Sequence, residues 1–339
     1  MKVPDRIEYF KQKPNKEWPS YDLKVTLKPC FRCNHKCWFC EEYNNKTRMW
    51  SKNDCDTVLK ALTKIPKDKD SIFFYFYGGE PTLNKHWEYI QYQLVDIFKD
   101  RKLFIQTQTN LSLNVHRLEA FCDKINKIKD NKHTIDICSS YHIGKQTVDN
   151  FINKMEICEK YEQLGLCFFS TEIPRENQTL SELKSIADRY PDKIKLRFTE
   201  TASLAHKNIQ GYEEHLKDDY LLGDDDGKSL EFRYWLRKYP ELRKYFETGW
   251  DFDVNGETFN FSEVSAYNIH MKFKYMKCQC GTKNLVIDHD LKAYHCNDDY
   301  NNQINVTPLQ DVDMSTYFSR PVRCLNSTCY DGLDFKKYR

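Results

Sequence analysis

Four cysteines lie within a short stretch near the N-terminus, at Cys30, Cys33, Cys37 and Cys40. The last three follow the spacing C-x3-C-x2-C, which puts three thiolates on one loop. Thiolates are the usual ligands of iron–sulfur clusters, and three of them on a four-iron cluster leave one iron open to a small chelating molecule. The spacing therefore predicts a [4Fe–4S] cluster held by Cys33, Cys37 and Cys40, with Cys30 in a structural role.

Two zinc hypotheses compete with this prediction. The segment from Cys30 to Cys40 contains two C-x2-C pairs, but structural zinc sites usually take their pairs from well-separated segments. Only three residues separate the pairs here, so closing a tetrahedron with four thiolates is sterically awkward. Pro29 and the first pair also match half of a zinc deaminase signature. The upstream H-x-E half is missing, because the first histidine of the chain is His35.

A second motif, Gly78-Gly79-Glu80-Pro81, comes directly after an aromatic and β-branched run. Such a run before two glycines predicts a strand that ends in a tight loop. The glycines permit a close approach of another backbone and unusual φ values. Glu80 puts a carboxylate at the end of that strand.

Six predicted strands alternate with helices and must position both motifs. The strands are Leu23–Leu27, Ile72–Tyr77, Lys102–Thr107, Thr134–Cys138, Leu166–Ser170 and Ile194–Thr199. Predicted helices separate them at about Asp54–Thr63, His86–Asp100, Val115–Lys127, Thr147–Leu164 and Thr179–Tyr190. This alternation favours parallel βαβ units and an α/β fold. A barrel of such units carries its chemistry at the C-terminal ends of its strands, where both motifs lie.

Together the two motifs resemble those of the radical S-adenosylmethionine (SAM) superfamily. Phe39 fits as well, since an aromatic residue commonly precedes the last cysteine there. The resemblance covers about Leu23 to Glu200 and implies a (β/α)6 partial TIM barrel. It implies that SAM chelates the open iron and that an electron from the cluster cleaves the sulfonium. The resulting 5′-deoxyadenosyl radical would take hydrogen from a substrate, and a donor such as flavodoxin or ferredoxin would supply the electron.

The resemblance also implies candidate SAM contacts. The motif that contacts the amino group of SAM in the superfamily corresponds here to Gly78, Gly79, Glu80 and Pro81. Asn110, after the third predicted strand, and Ser139 or Ser140, after the fourth, are further candidates by position. An ordinary loop role is open for each of these three.

Three other side chains are candidates for contact with the substrate. His142 follows the fourth predicted strand, where a substrate-facing position and an ordinary hydrogen-bonded position are both open. Cys138 and Cys167, on the fourth and fifth predicted strands, are candidate hydrogen donors, as in radical epimerases. Free cysteines also behave as small buried hydrophobes, so packing in the core is the alternative for both.

A second cysteine group lies near the C-terminus. Leu285–Asp288 and Lys292–His295 are predicted to form a hairpin with cysteines at its base. The segment resembles the SPASM/twitch extension of the superfamily, which binds auxiliary iron–sulfur clusters, although Leu291 stands where that hairpin usually has glycine. The candidate ligands are Cys278, Cys296, Cys324 and Cys329, with Cys280 as the alternative to Cys278 or a bystander. A structural zinc site with four cysteines is the competing hypothesis.

Composition limits the remaining possibilities. Hydrophobic residues make up 40% of the 339 residues and aromatic residues 14%, which is ample for a packed core. A formal net charge of +2 does not indicate a nucleic-acid-binding surface. Bases within nucleic acid are nevertheless kept as possible substrates. No apolar run approaches a membrane span, and residues 1–16 lack the apolar core of a signal peptide. We therefore expect a cytoplasmic protein, whose clustered cysteines bind metal.

Four regions are expected along the chain. They are an N-terminal leader over 1–22, the partial barrel over 23–200, a connecting helical region over 201–277 and a small cysteine-rich α+β extension over 278–339. The connecting region contains the acidic loop Gly223–Gly227, expected to be a solvated turn rather than a metal site, and a helical run over Leu230–Phe246.

Three functions remain open at this point. The first is modification of a ribosomally made peptide by cross-linking or epimerisation. The expectation that no leader-binding domain precedes Leu23 argues against it. The second is a radical reaction on a small molecule or nucleotide, which the compact size favours slightly. The third is a non-catalytic iron–sulfur or zinc module, which would have no use for a SAM-binding motif.

Overall fold

The computed structural model describes residues 10–14, 21–37, 40, 48–171, 175–197, 235, 238–242, 245, 250–254, 257–260, 275, 277–325 and 337–338. Two predicted site residues, Phe39 and Cys329, lie outside these ranges. The acidic loop Gly223–Gly227 and most of the run Leu230–Phe246 also lie outside them.

Strands and helices alternate from Leu23 to Arg197, as the sequence predicts. In chain order the strands are β1 (Phe10–Pro14), β2 (Leu23–Leu27), β3 (Ser71–Phe76), β4 (Lys102–Thr109), β5 (His133–Tyr141), β6 (Leu164–Ser170), β7 (Ile194–Arg197), β8 (Trp250–Val254), β9 (Glu257–Asn260), β10 (Lys277–Cys278), β11 (Asn284–Ile287), β12 (Lys292–Tyr294), β13 (Thr307–Pro308), β14 (Val322–Arg323) and β15 (Lys337–Tyr338). The helices are α1 (Lys52–Leu62), α2 (Trp87–Ile97), α3 (Val115–Ile128), α4 (Val148–Lys160), α5 (Glu176–Arg189), α6 (Cys280–Lys283), α7 (Asn297–Asn302) and α8 (Met314–Tyr317), with 3-10 turns at Pro81–Leu83, Pro240–Leu242 and Leu309–Asp311.

Strands β2 to β7 pair in chain order as six parallel strands. Helices α1 to α5 each connect one of these strands to the next. The sheet has nine strands in the order β13-β12-β11-β2-β3-β4-β5-β6-β7, so it is open between β13 and β7 as far as the chain is described. The expected α/β fold with a partial parallel barrel is confirmed.

The parallel strands present two different faces. One face is apolar and packs against the helices, and on it Val25, Phe74 and Ile105 align in register. The opposite face, called the inner face below, carries an aligned row that is mostly polar: Thr26, Tyr75, Gln106 and Asp136. Because the strands are parallel, the loops that follow β2, β3, β4 and β5 meet at one edge of the sheet.

Strand β5 is longer than predicted. The sequence places its end at Cys138, so that Ser139 and Ser140 follow the strand. The structure continues the strand to Tyr141, with an irregular register against β6 between Ile137 and Ser139. The polar serines do not end the strand, because their backbone groups pair with the neighbouring strands and their side chains are buried.

The C-terminal segment joins the barrel sheet directly. Strands β11 and β12 form the predicted antiparallel hairpin, and β11 also pairs in parallel with β2. Side-chain contacts reinforce this pairing, since the Trp50 indole N–H donates to the Asp288 carbonyl oxygen over 3.1 Å. The hairpin therefore extends the sheet beside the strand that leads into the first cysteine loop.

A separate antiparallel sheet pairs β1 with β8 and β8 with β9. Residues 10–14 of the expected leader and residues 250–254 and 257–260 of the expected connecting region are therefore strands of one sheet. In the register, Lys11 stands opposite Asp253 and Lys13 opposite Asp251. Among the described residues, no helix is both long and apolar enough to cross a membrane.

Candidate functional site

The first cysteine loop runs from the end of β2 to the start of α1 and is tied down at both ends. The Trp50 backbone N–H donates to the Pro29 carbonyl oxygen over 2.9 Å, and Cys30 forms an isolated bridge with Met49. Immediately afterwards, Ser51 caps α1 through a reciprocal capping box. The loop is thereby closed at its base, and its middle section carries the other three cysteines.

Cys30 is separated from those three cysteines by its environment. Its side chain is fully buried, and its thiol donates to the Arg32 carbonyl oxygen over 3.1 Å. Burial raises the pKa of Cys30 to about 12. A buried thiol with its own acceptor in the loop suits the structural role that the sequence assigns to it.

Cys33, Cys37 and Cys40 follow on the middle of the loop. The Cys40 backbone N–H donates to the Cys37 carbonyl oxygen over 3.2 Å, and the His35 backbone N–H donates to the Cys33 sulfur over 3.3 Å. Burial raises the pKa of Cys33 to about 11, and the negative charges of Glu80 and Cys40 add to the shift. A bound cation would offset this penalty, so the three-thiol set fits a cluster with three protein ligands.

The loop after β3 forms a seat for the cysteine loop. The Gly79 backbone N–H donates to the Cys30 carbonyl oxygen over 3.0 Å, and the Glu80 backbone N–H donates to that of Arg32 over 2.9 Å. Gly78 has a φ of 127°, and a Cβ there would lie 2.7 Å from the Cys30 carbonyl oxygen. A Cβ on Gly79 would lie 2.5 Å from the Arg32 carbonyl oxygen. Glycine is required at both positions because the two backbones are in contact.

Glu80 lies beneath this seat and is only 1% exposed. Its Oε1 accepts from the Thr82 backbone N–H over 3.1 Å and from the Thr109 hydroxyl over 2.7 Å, and its Oε2 accepts from the Asn110 backbone N–H over 2.7 Å. Burial raises the pKa of Glu80 above its usual value. The sequence predicted a carboxylate at the mouth of the barrel, and the structure shows one that joins the ends of β3 and β4.

Pro81 follows as the first residue of the 3-10 turn that Glu80 caps. Thr82 and Thr109 are the two hydroxyl partners of Glu80, and sequence analysis missed both of them. A threonine two residues after an acidic cap is a weak local signal for the first. Nothing local marks Thr109, because its role depends on the pairing of β3 with β4.

Asn110 brings the end of β4 to the cysteine loop. Its side-chain amide lies 3.7 Å from the Cys33 sulfur and donates to the Asn34 side-chain oxygen over 3.0 Å. The Gln146 side chain in turn donates to the Asn110 carbonyl oxygen over 2.7 Å. The candidate chosen by position thus lies beside a predicted cluster ligand.

The two candidate serines of β5 lie on opposite faces of the sheet. Ser140 is on the inner face, where the Gln108 side-chain amide donates to its hydroxyl over 3.2 Å. The Tyr75 hydroxyl donates to the oxygen of the same Gln108 side chain. Ser139 stands in register with Cys167, on the face that packs against the helices.

The two candidate hydrogen donors differ in the same way. Cys167 belongs to the hydrophobic core cluster, and burial raises its pKa to about 12. Cys138 stands in register with Gln108, which puts it on the inner face, and burial raises its pKa strongly. The placement of Cys167 favours the packing alternative, whereas Cys138 lies on the face where a substrate would bind.

Two histidines adjoin the first cysteine loop. Ligand atoms of His35, Cys37 and His142 all lie within 4.8 Å of one another. The two imidazole rings meet edge to face with centroids 5.6 Å apart. Burial, together with the positive charges of Lys145 and Lys154, lowers the pKa of His35 to about 4.

The second cysteine group also comes together. Cys278 ends β10, Cys280 begins α6, and Cys296 caps α7 by accepting from the Asp299 backbone N–H over 3.4 Å. The Cys280 thiol contacts the sulfurs of both other cysteines, which strongly raises its pKa. The sequence treated Cys280 as an alternative ligand or a bystander, and the structure places it between the other two.

Cys324 completes the part of this group that the structure describes. It is buried and follows β14, which pairs with β10 through the register Cys278 to Val322. These four cysteines come from segments on either side of the hairpin, which is the arrangement expected of a metal site.

Comparison with known proteins gives a family match. Residues 27–163 match the model described as the radical SAM superfamily, a range that includes both motifs. No protein in the curated set matches the chain.

The solved structures that match this chain have low sequence identity to it. The chain is similar to a structure described as native anSMEcpe with bound AdoMet and Cp18Cys peptide, at 16% identity and a TM-score of 0.50, over 87% of this chain and 80% of that one. It also matches BtrN in complex with AdoMet and 2-DOIA, at 9% identity and a TM-score of 0.38, over 88% and 82% of the two chains. A third match is Streptococcus suis SuiB bound to the precursor peptide SuiA, at 11% identity and a TM-score of 0.38, over 88% and 65%. Residues 27–163 of this chain therefore match a radical SAM domain.

Proposed function

We propose that Cys33, Cys37 and Cys40 hold a [4Fe–4S] cluster and that SAM binds at its open iron. The observation that carries this proposal is the docking of the cysteine loop on Gly79, Glu80 and Asn110. When bound, the cluster with SAM supplies a 5′-deoxyadenosyl radical by one-electron cleavage of the sulfonium.

The chain's own residues would orient SAM and keep water away from the radical. Glu80 fixes the ends of β3 and β4, so that the glycine loop and Asn110 keep their positions beside Cys33. Gly78 and Gly79 bring their backbone close to the loop, which leaves room for a ligand at the edge of the sheet. These residues, with Pro81, Phe39 and Ser140, are our proposed SAM-binding set.

The substrate would bind on the inner face of the barrel. Tyr75, Gln108 and Ser140 form a hydrogen-bonded row there, and Cys138 lies in the same register. We propose hydrogen abstraction from a small-molecule, nucleotide or peptide substrate, with Cys138 as a candidate to return hydrogen. Structural neighbours have been solved with AdoMet and either a peptide or a small ligand, so peptide maturation is kept as the second candidate.

We propose that the second cysteine group binds an auxiliary iron–sulfur cluster of the twitch type. The grouping of Cys278, Cys280 and Cys296 around one central thiol supports the proposal. The four ligands would be Cys296, Cys324, Cys329 and either Cys278 or Cys280. We further propose a flavodoxin or ferredoxin as electron donor and a cytoplasmic location, where the clusters would be kept from oxidation.

Anaerobic reconstitution tests the main proposal. The purified protein should bind iron and sulfide, and with dithionite and SAM it should release 5′-deoxyadenosine. Changing Cys33, Cys37 or Cys40 to Ala should abolish release. Cys30→Ser is the matched control, because it alters the same loop outside the ligand set and keeps a donor for Arg32. Wild-type release by a Cys37→Ala protein, or a colourless zinc protein with no SAM cleavage, would overturn the proposal.

A further inference from the structure

His142 stands at the end of β5, across from the first cysteine loop. One ligand atom each from His142, His35 and Cys37 lie together within 4.8 Å. His35 belongs to the cysteine loop itself. His142 lies more than 100 residues further along the chain, and the position of β5 in the sheet brings it to this group. The sequence marks His142 only as a residue that follows a predicted strand, so its position beside Cys37 is a property of the fold.

We propose that His142 is a positioning residue for the iron–sulfur site, which donates a hydrogen bond from its imidazole to the Cys37 thiolate and thereby sets the reduction potential of the cluster. This inference rests on the proposed function, because it takes Cys37 to be a cluster ligand. Hydrogen bonds to cluster sulfurs are one of the means by which a protein adjusts reduction potential.

A contact of His142 with strand β6 supports this role. The Ser170 hydroxyl lies 3.4 Å from His142 Nδ1, at the end of β6, and Ser170 is buried. A hydroxyl that donates to Nδ1 leaves the imidazole proton on Nε2. In that tautomer Nε2–H would be the donor toward the Cys37 sulfur, and Ser170 would help to fix the orientation of the ring.

His35 provides an independent indication that a polar group belongs in this space. It is only 9% exposed, and its Nδ1 has no hydrogen-bond partner among the residues that the structure describes. A buried polar atom without a partner is costly, so such atoms commonly mark a site for a bound group. The edge-to-face contact with His142 places both rings at the same location.

The direction of the effect follows from charge. Reduction adds one negative charge to the cluster, and a hydrogen bond to a ligand sulfur stabilises the more negative state. Only the difference in hydrogen-bond strength between the two oxidation states shifts the potential. We take this difference as about a factor of ten in the equilibrium constant, the low end of what a hydrogen bond to a charged group is worth. Removing the His142 donor should therefore lower the ratio of reduced to oxidised cluster about tenfold at a fixed solution potential. For a one-electron reduction this corresponds to a reduction potential lower by about 59 mV.

The experiment is a potentiometric titration of the reconstituted protein, followed by electron paramagnetic resonance (EPR). His142→Phe keeps the ring and removes both nitrogens, and it should show the full shift together with altered g-values. His142→Gln keeps a donor and should restore most of the wild-type potential. Ser170→Ala should shift the potential in the same direction by a smaller amount. The exposed His116→Phe, far along the chain on α3, is the control.

The outcomes separate this inference from the proposed function. An iron-loaded His142→Phe protein with the wild-type potential and g-values would overturn the inference, while SAM cleavage by the wild type would still support the proposed function. If the wild type loads no cluster, both are overturned. If His142→Phe fails to hold iron, Ser170→Ala decides, since an unchanged potential in that variant would overturn the role of His142.

Discussion

The contact between Gly79 and the cysteine loop makes Gly79→Ala the sharpest test of the site. The new Cβ would lie 2.5 Å from the carbonyl oxygens of both Phe31 and Arg32, about 0.9 Å closer than the 3.4 Å at which ordinary contact begins. Both neighbours are backbone atoms, so no side chain can rotate away. The loop must move, and the hydrogen bonds from Gly79 and Glu80 to its carbonyl oxygens must lengthen.

Overpacking of this kind costs about 1–3 kcal/mol, and each weakened backbone hydrogen bond adds up to about 1 kcal/mol. Detachment of the loop would relieve the strain, so the energetic cost falls on the docked form of the loop, which is the form proposed to bind the cluster. A cost of about 3 kcal/mol lowers cluster affinity about 100-fold. We expect Gly79→Ala to lose most of its iron during desalting after anaerobic reconstitution, as measured by iron content and visible absorbance.

Gly144→Ala is the matched control for this experiment. Gly144 has a φ of +68°, so alanine is strained there, but its Cβ would meet only the mobile end of the Arg175 side chain. This control should lower the melting temperature and keep the wild-type iron content. If Gly79→Ala also retains the wild-type iron content, the loop does not depend on its seat and the reasoning is refuted.

Three further predictions concern charge, the second metal site and the attachment of the C-terminal segment. Burial raises the pKa of Asp136 from 3.8 to about 6, so the folded state holds the proton more tightly and stability should fall by up to about 3 kcal/mol as pH rises from about 4 to about 6. Urea unfolding of Asp136→Asn should lack this slope, and an unchanged slope would contradict the assignment. Cys296→Ala should remove about four of about eight irons and leave SAM cleavage capacity at the first site, with zinc in place of iron as the contrary result. Lys28 is buried with its ammonium 3.5 Å from the centre of the Tyr300 ring, so Lys28→Met should lower the free energy of unfolding by about 2 kcal/mol, and a neutral result would show that this contact is not stabilising.

The sequence predicts well what depends on local spacing. Cys33, Cys37 and Cys40 follow a fixed interval, and the alternating strands and helices carry their own periodicity, so the barrel could be predicted from patterns of a few residues. Asn110 was found because it follows a predicted strand. The order of strands in a parallel barrel determines which loops meet. A residue that follows a predicted strand can therefore be placed near the site from the sequence pattern alone.

What the sequence does not predict depends on contacts between distant segments. Thr109 bonds to Glu80 only because β4 pairs beside β3, and the two faces of β5 separate Ser139 from Ser140 through their registers. His142 is marked in the sequence only as a residue after a predicted strand, and nothing local indicates its position beside Cys37. Strands β8 and β9 have the period-two alternation that predicts a strand, but the aromatic and charged residues around them favour a helix in a reading of the sequence alone.

The pairing of β11 with β2 has a consequence for how the protein is made. Lys24 and Asn284 are register partners 260 residues apart. The edge of β2 that pairs with β11 therefore stays uncovered until the last fifth of the chain has been synthesised. At a synthesis rate of about 5–20 residues per second, that wait lasts roughly 13–50 s. During this time the strand leading into the cysteine loop has an unpaired edge, a condition that invites mispairing. Iron insertion is therefore expected after release from the ribosome, when the hairpin has closed over the strand.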